Sequence, residues 1–209
     1  MPLESLRRFT GSRPAALPGE RCELCSEPVP EDHPHVADVE TRGLLCACRA
    51  CHLLFTQEGA ARGRYRAVPD RYLHGPRFVL SDAQWEAPQI PVGMAFFFHN
   101  SAVDEVVAFY PSPAGATESL LPLEEWRNLM SANPLLETLA PDVEALLVYR
   151  PGGARPSGPF ACCLVPIDSC YELVGVIRRT WKGFDGGQEA WAAIDAYFQR
   201  IQARARTVA

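Results

Sequence analysis

The stretch RCELCSEPVPEDHPHVADVETRGLLCACRACHLLFT, residues 21–56, decides how the chain is organised. It holds five of the eight cysteines, and four of these form two pairs with two residues between partners, Cys22–Cys25 and Cys48–Cys51. That spacing lets both sulfurs of a pair turn toward one ion, and four thiolates in two such knuckles close a tetrahedral shell around zinc. Between the pairs the residues read as a hairpin: His35 to Val39, a turn at Thr41–Arg42–Gly43, then Leu44 to Ala47. A hairpin returns the chain to its start and brings the knuckles together. So short a segment has no sufficient apolar core, so the metal would supply its folding energy. The stretch reads as a zinc ribbon, with Cys22, Cys25, Cys48 and Cys51 as ligands and structural Zn2+ as cofactor.

Three alternatives stay open at this level. On an extended strand Cys46 and Cys48 face the same side, so Cys46 can replace Cys48 or Cys51, although the two-residue spacing favours the latter pair. The same four thiolates also suit a rubredoxin-like iron centre for electron transfer; Ser26 and His52 after the knuckles, in place of the Pro and Gly usual there, favour zinc. Finally, EDHPH (31–35) and CRACH (48–52) resemble pieces of an HNH-type metal-dependent nuclease. That resemblance implies His33 as base and His52 as metal ligand. The short spacing from Cys25 to His33 and the lack of an Asn before the CxxCH element depart from its pattern.

Outside this stretch the chain is an ordinary globular sequence. Its 209 residues include 47% hydrophobic and 22% charged side chains, enough for a packed core in one or two domains. Its net charge is −5 and its pI about 5.6, which speaks against a generic nucleic-acid binder. Apolar runs such as Met94–Phe98 are short, far below a membrane span. At the start, Arg7-Arg8 is followed by Pro14, Pro18 and Gly19 rather than an apolar export segment. A cytoplasmic location follows as the expectation, with thiols reduced or metal-bound.

Residues 1–20 read as a flexible N-terminal tail, 21–56 as the ribbon, 57–77 as an Arg-rich connector and 78–205 as an α+β domain. The connector's Arg62, Arg64, Arg66, Arg71 and Arg77 offer a cationic edge to an acidic patch on a protein partner. In the last region Ser81 and Gln84 have the spacing of a capping box. MAFFFH and VDEVVAFY read as a β-hairpin, and PSPAGATES as a loop by its Pro and Gly content. Pro122 to Met130 reads as a helix, and Asn133-Pro134 as the cap of a second, short one. EALLVYR (144–150) and FACCLVP (160–166) read as central strands. Asp168 is the expected N-cap of a helix carrying Tyr171, Val174, Ile177 and Trp181, and a last helix carries Trp191, Ile194, Phe198 and Ile201. The order implies a mostly antiparallel sheet covered by helices on one side.

No catalytic constellation emerges. Cys162 and Cys163 read as buried structural thiols. Cys170 falls in a helix first turn, where a thiol is activated, but no His lies near it in sequence. No phosphate loop, nucleophile elbow or dinucleotide fingerprint is present.

The segments RCELC, LLCACRACHLLF, IPVGMAFFF, VVAFYPSPAGATES, PDVEALLVYR and VPIDSCYELVGVIRRTWKGFDGG together resemble an uncharacterised actinobacterial protein family. The resemblance runs over residues 20–205 and implies an association with gene clusters of uptake NiFe hydrogenases and their maturation factors. It supplies no activity and no catalytic residues. The expectation is a non-catalytic, cytoplasmic zinc-ribbon accessory protein that recognises a protein partner, a hydrogenase subunit or maturation factor.

Overall fold

The computed structural model describes residues 19–86, 90, 92–112, 115–120, 128–129, 131–150, 158–183 and 186–208. The expected N-terminal tail, the helix from Pro122 to Met130 for most of its length, and most of the loop after Arg150 lie outside the described residues.

Two sheets organise the protein. The first is antiparallel, with strands β1 (His35–Asp38), β2 (Gly43–Cys46) and β3 (Tyr65–Ala67) in the order β2-β1-β3. Its hairpin is the one the sequence indicates. A short helix α1 (Arg49–Leu54) starts at the second knuckle, with Cys48 as N-cap: the Cys51 N–H donates to the Cys48 Sγ at 3.4 Å.

The second sheet has seven strands: β4 (Leu73–His74), β5 (Met94–Asn100), β6 (Glu105–Ser112), β7 (Gly115–Leu120), β8 (Glu144–Tyr149), β9 (Ala161–Pro166) and β10 (Arg206–Thr207). Their order is β10-β4-β9-β8-β5-β6-β7, antiparallel except for the β10–β4 edge pair. Alternation along the strands gives each face its own core. Phe96, Phe98, Leu147 and Val165 face the two long helices, α3 (Ile167–Thr180) and α4 (Gly187–Arg204), which contribute Leu173, Ile177, Ile194 and Phe198. Phe97, Ala108, Leu146 and Val148 face the other way, under Trp85 of the short helix α2 (Asp82–Glu86), Leu129 and Leu136. The long helices cover one side as expected, and shorter segments close the other.

Several local expectations hold in detail. Ser81 and Gln84 form the reciprocal capping box: the Ser81 N–H donates to Gln84 Oε1 at 2.9 Å and the Gln84 N–H to Ser81 Oγ at 3.2 Å. Others are corrected. PSPAGATES is not a loop throughout, because β6 runs to Ser112 and β7 begins at Gly115. Pro111 is tolerated because β5 pairs with β6 only as far as Phe109, so the proline sits beyond any β5 hydrogen-bonding partner. Asn133 precedes the 3-10 turn Pro134–Thr138 without capping it. Its side chain instead accepts from the Val79 N–H and donates to the Val79 and Leu129 carbonyls. Asp168 is not the N-cap of α3; that position is Pro166, and Asp168 lies in the first turn, facing the ribbon.

The stretch 57–77 divides between the two sheets, giving β3 to one and β4 to the other. Three of its arginines are engaged. Arg64 donates to Asp38, at 2.8 Å from Nη2, and sits 3.3 Å from Glu40. Arg66 reaches Asp142 at 3.1 Å, and Arg71 clasps the fully buried Glu144. These pairs neutralise most of the cationic edge that the sequence alone offers. Ala37 and Leu44 of the ribbon, with Val68 just after β3, pack into the core beneath α3, so the ribbon leans on the larger sheet.

Candidate metal centre

The ribbon has a small core of its own: Cys22, Val36 and Ala47 are buried, with Leu24, Val29, Phe55 and Tyr65 packed around them. Three small buried side chains cannot hold such a unit unaided. What converges at its centre is sulfur. One atom from each of Cys22, Cys25, Cys48 and Cys51 lies within 4.8 Å of all the others. The Cys25 and Cys48 Sγ atoms are 3.7 Å apart. Two sulfurs bound to one tetrahedral ion by bonds of about 2.3 Å lie about 3.8 Å apart. The cluster is thus spaced for a metal ion rather than a disulfide.

Local backbone aims these sulfurs. In the first knuckle the Cys22 N–H donates to Glu27 O and the Ser26 N–H to Cys22 O, each at 2.8 Å, with Ser26 at a left-handed φ of 66°. The second knuckle is the α1 N-terminus. Burial would raise the Cys22 thiol, but N–H groups of Cys48, Cys25 and Leu24 directed at its sulfur outweigh this and hold it at about 6. Cys51 goes the other way: burial first, then the three neighbouring thiols, push it up to about 12. Four sulfurs this close cannot all ionise without a cation among them, and a cation is what the donor set invites.

Cys46 does not join the four. Its side chain groups with His33 and His35, whose ligand atoms and its own sulfur lie within 4.8 Å of one another. Glu23, inside the first knuckle, clamps its backbone: the Glu23 N–H donates to Cys46 O at 2.9 Å and the Cys46 N–H donates to Glu23 Oε2 at 2.7 Å. His52 belongs to neither group; one ring nitrogen, Nε2, bonds to Val68 O at 2.9 Å. The nuclease-like reading takes His33 as base and His52 as metal ligand, whereas the structure groups His33 with His35 and Cys46 and leaves His52 outside both clusters.

The remaining thiols are buried. Cys162 faces the core under α2 and Cys163 the core under α3. Burial pushes Cys163 up to about 11 and Cys162 higher still. Cys170 is fully enclosed, and burial raises it far above an ordinary thiol, cancelling any help from its place near a helix start.

A family model matches residues 21–205, and its description reads "family of unknown function (DUF5947)". The chain belongs to this family. The match spans both knuckles and nearly all of the larger sheet. No curated protein and no solved structure matches. Among the described residues, no helix is long and apolar enough to cross a membrane.

Proposed function

We propose that this DUF5947 protein is a non-catalytic, cytoplasmic accessory protein. In this reading its ribbon, held by one structural Zn2+ on Cys22, Cys25, Cys48 and Cys51, recognises a protein partner. The convergence of four sulfurs from two knuckles carries the reading, since a tetrathiolate leaves the ion no position for substrate or water. Beside it, α1 holds Leu53 and Leu54 exposed at 54% and 67%, an adjacent apolar pair next to the second knuckle that suits a partner surface. Sequence resemblance supplies the context: assembly or maturation of an uptake NiFe hydrogenase, with a hydrogenase subunit or maturation factor as partner.

Affinity capture with the tagged full-length protein from cells expressing the hydrogenase tests this. Hydrogenase subunits or maturation factors are expected with the wild type and lost with Leu53→Arg plus Leu54→Arg, while the metal is retained. Capture unaffected by that double substitution removes the assignment of α1, and absence of every hydrogenase component removes the pathway. A red protein holding iron at the four sulfurs would replace the reading with electron transfer.

A further inference from the structure

We propose that the protein carries a second metal site, built from His33, His35 and Cys46, which binds a borderline divalent ion of the zinc class through two imidazole nitrogens and one thiolate. It shares no ligand with the tetrathiolate and goes beyond the recognition role.

The placement follows from strand geometry. His35 and Cys46 are directly paired across β1 and β2, so their side chains leave the same face of the hairpin. His33 precedes His35 by two residues, and its ring centroid is 4.9 Å from that of His35. One nitrogen from each ring and the Cys46 sulfur lie within 4.8 Å of one another. Donors around a bound tetrahedral ion lie about 3.4–3.6 Å apart, so modest side-chain rotation closes the shell.

Both imidazoles are held in the tautomer that binds metal. The Pro30 carbonyl can only accept, so His33 donates to it from Nδ1, at 2.8 Å. The Asp168 carboxylate accepts from His35 Nδ1 at 2.9 Å. In neutral rings this leaves each Nε2 with a lone pair. A ligating histidine whose other nitrogen donates to a carboxylate or backbone carbonyl is the usual outer arrangement of zinc sites.

A second, independent observation points to a ligand. The His33 side chain is only 5% exposed, and its Nε2 is buried with no hydrogen-bond partner. A buried polar nitrogen left unmatched is costly, and its residue is one of the three grouped with a thiol and a second imidazole. Structural packing alone would leave that nitrogen unsatisfied, whereas a metal ion satisfies it.

The chemistry of the site differs from that of the tetrathiolate. Among the described residues no fourth protein donor joins the three. Two imidazole nitrogens and one thiolate leave a tetrahedral ion one position for water or for a donor from an incoming molecule. Because Asp168 belongs to α3, the ion would also tie the ribbon to the larger sheet.

The test is metal stoichiometry on the full-length protein, equilibrated with Zn2+ and freed of loosely held ion. Wild type is expected to hold about two zinc per chain, falling to about one in Cys46→Ser and in His33→Gln. Cobalt(II) substitution gives a second readout. The wild-type minus His33→Gln difference spectrum should show a tetrahedral ion with a single thiolate, distinct from the tetrathiolate spectrum that both variants keep. If the variants bind as much zinc as wild type, the proposal is wrong. Should Cys46→Ser lose all metal through misfolding, His33→Gln decides, since it leaves every sulfur in place. The tetrathiolate reading stands or falls separately, on Cys22→Ser with Cys25→Ser.

Discussion

His35 donates its Nδ1–H to Asp168 at 2.9 Å, joining the first strand of the ribbon to the first turn of α3 across 133 residues of sequence. Both side chains are about three-quarters buried, so water competes weakly for the bond. It fixes where the ribbon sits against the larger sheet. Asp168→Ala should cost about 1 kcal/mol of stability, measured by denaturant unfolding. It should also make residues 30–46 more open to limited proteolysis. Unchanged protection there would mean that Ala37, Leu44 and Val68 hold the ribbon unaided.

A second tie is stronger. Glu144 is fully buried at the start of β8, bonded by Arg71 Nε at 2.6 Å, by Arg71 Nη2, and by the Ala140 N–H at 2.8 Å. Removing the guanidinium leaves a buried charge without its partner. Arg71→Ala should therefore destabilise by about 3–5 kcal/mol, and adding Glu144→Gln should recover part of that loss. A loss below about 1 kcal/mol would place the pair among ordinary surface salt bridges.

Much of this was legible in the sequence because it depends on local rules. The two CxxC pairs, the turn at Arg42–Gly43, the Ser81–Gln84 box and the apolar stripe of α4 each need only a few neighbouring residues. What escaped depends on partners far along the chain. Cys46 was ambiguous because strand periodicity places it beside Cys48, whereas its pairing with His35 and the Glu23 bonds to its backbone put it with the histidines. Asp168 resembled a helix cap, yet its carboxylate faces His35. The arginines of 57–77 looked like a free cationic edge because their carboxylates, Asp38, Asp142 and Glu144, are scattered through the chain. Pro111 hid a strand, since proline disfavours β-structure except where the ladder on one side has stopped, as the β5–β6 pairing does at Phe109.

Asp38 should give the fold a measurable acid limb. Hydrogen bonds from Arg64, followed by N–H groups of Thr41 and Glu40, hold its carboxyl below the usual carboxylate range against the effect of burial. A depressed carboxylate contributes fully above its unfolded pKa of about 4 and loses the contribution as pH falls through the lower folded value. Denaturant midpoints of wild type and Asp38→Asn should therefore differ most at neutral pH and converge below about pH 4. A gap that stays constant down to about pH 2 would contradict this origin.

Thiol reactivity should divide the cysteines by environment. In native, zinc-loaded protein, Cys162, Cys163 and Cys170 should resist a thiol reagent until unfolding, because burial raises all three. Chelation should release the four thiols of the tetrathiolate, together with Cys46, first, and mass mapping of the labelled peptides would identify them. Early labelling of Cys170 would reopen a nucleophilic role for it.

The central claim is that the four ribbon sulfurs bind one ion and that this ion folds residues 21–56. Elemental analysis of purified Cys46→Ser, which leaves only the tetrathiolate, measures it most directly when paired with Cys22→Ser plus Cys25→Ser in the same background. The first protein should hold about one zinc per chain and the second none, with the ribbon's amide signals collapsed in the second. Full zinc retention after loss of Cys22 and Cys25, or a ribbon that stays folded without metal, would contradict it.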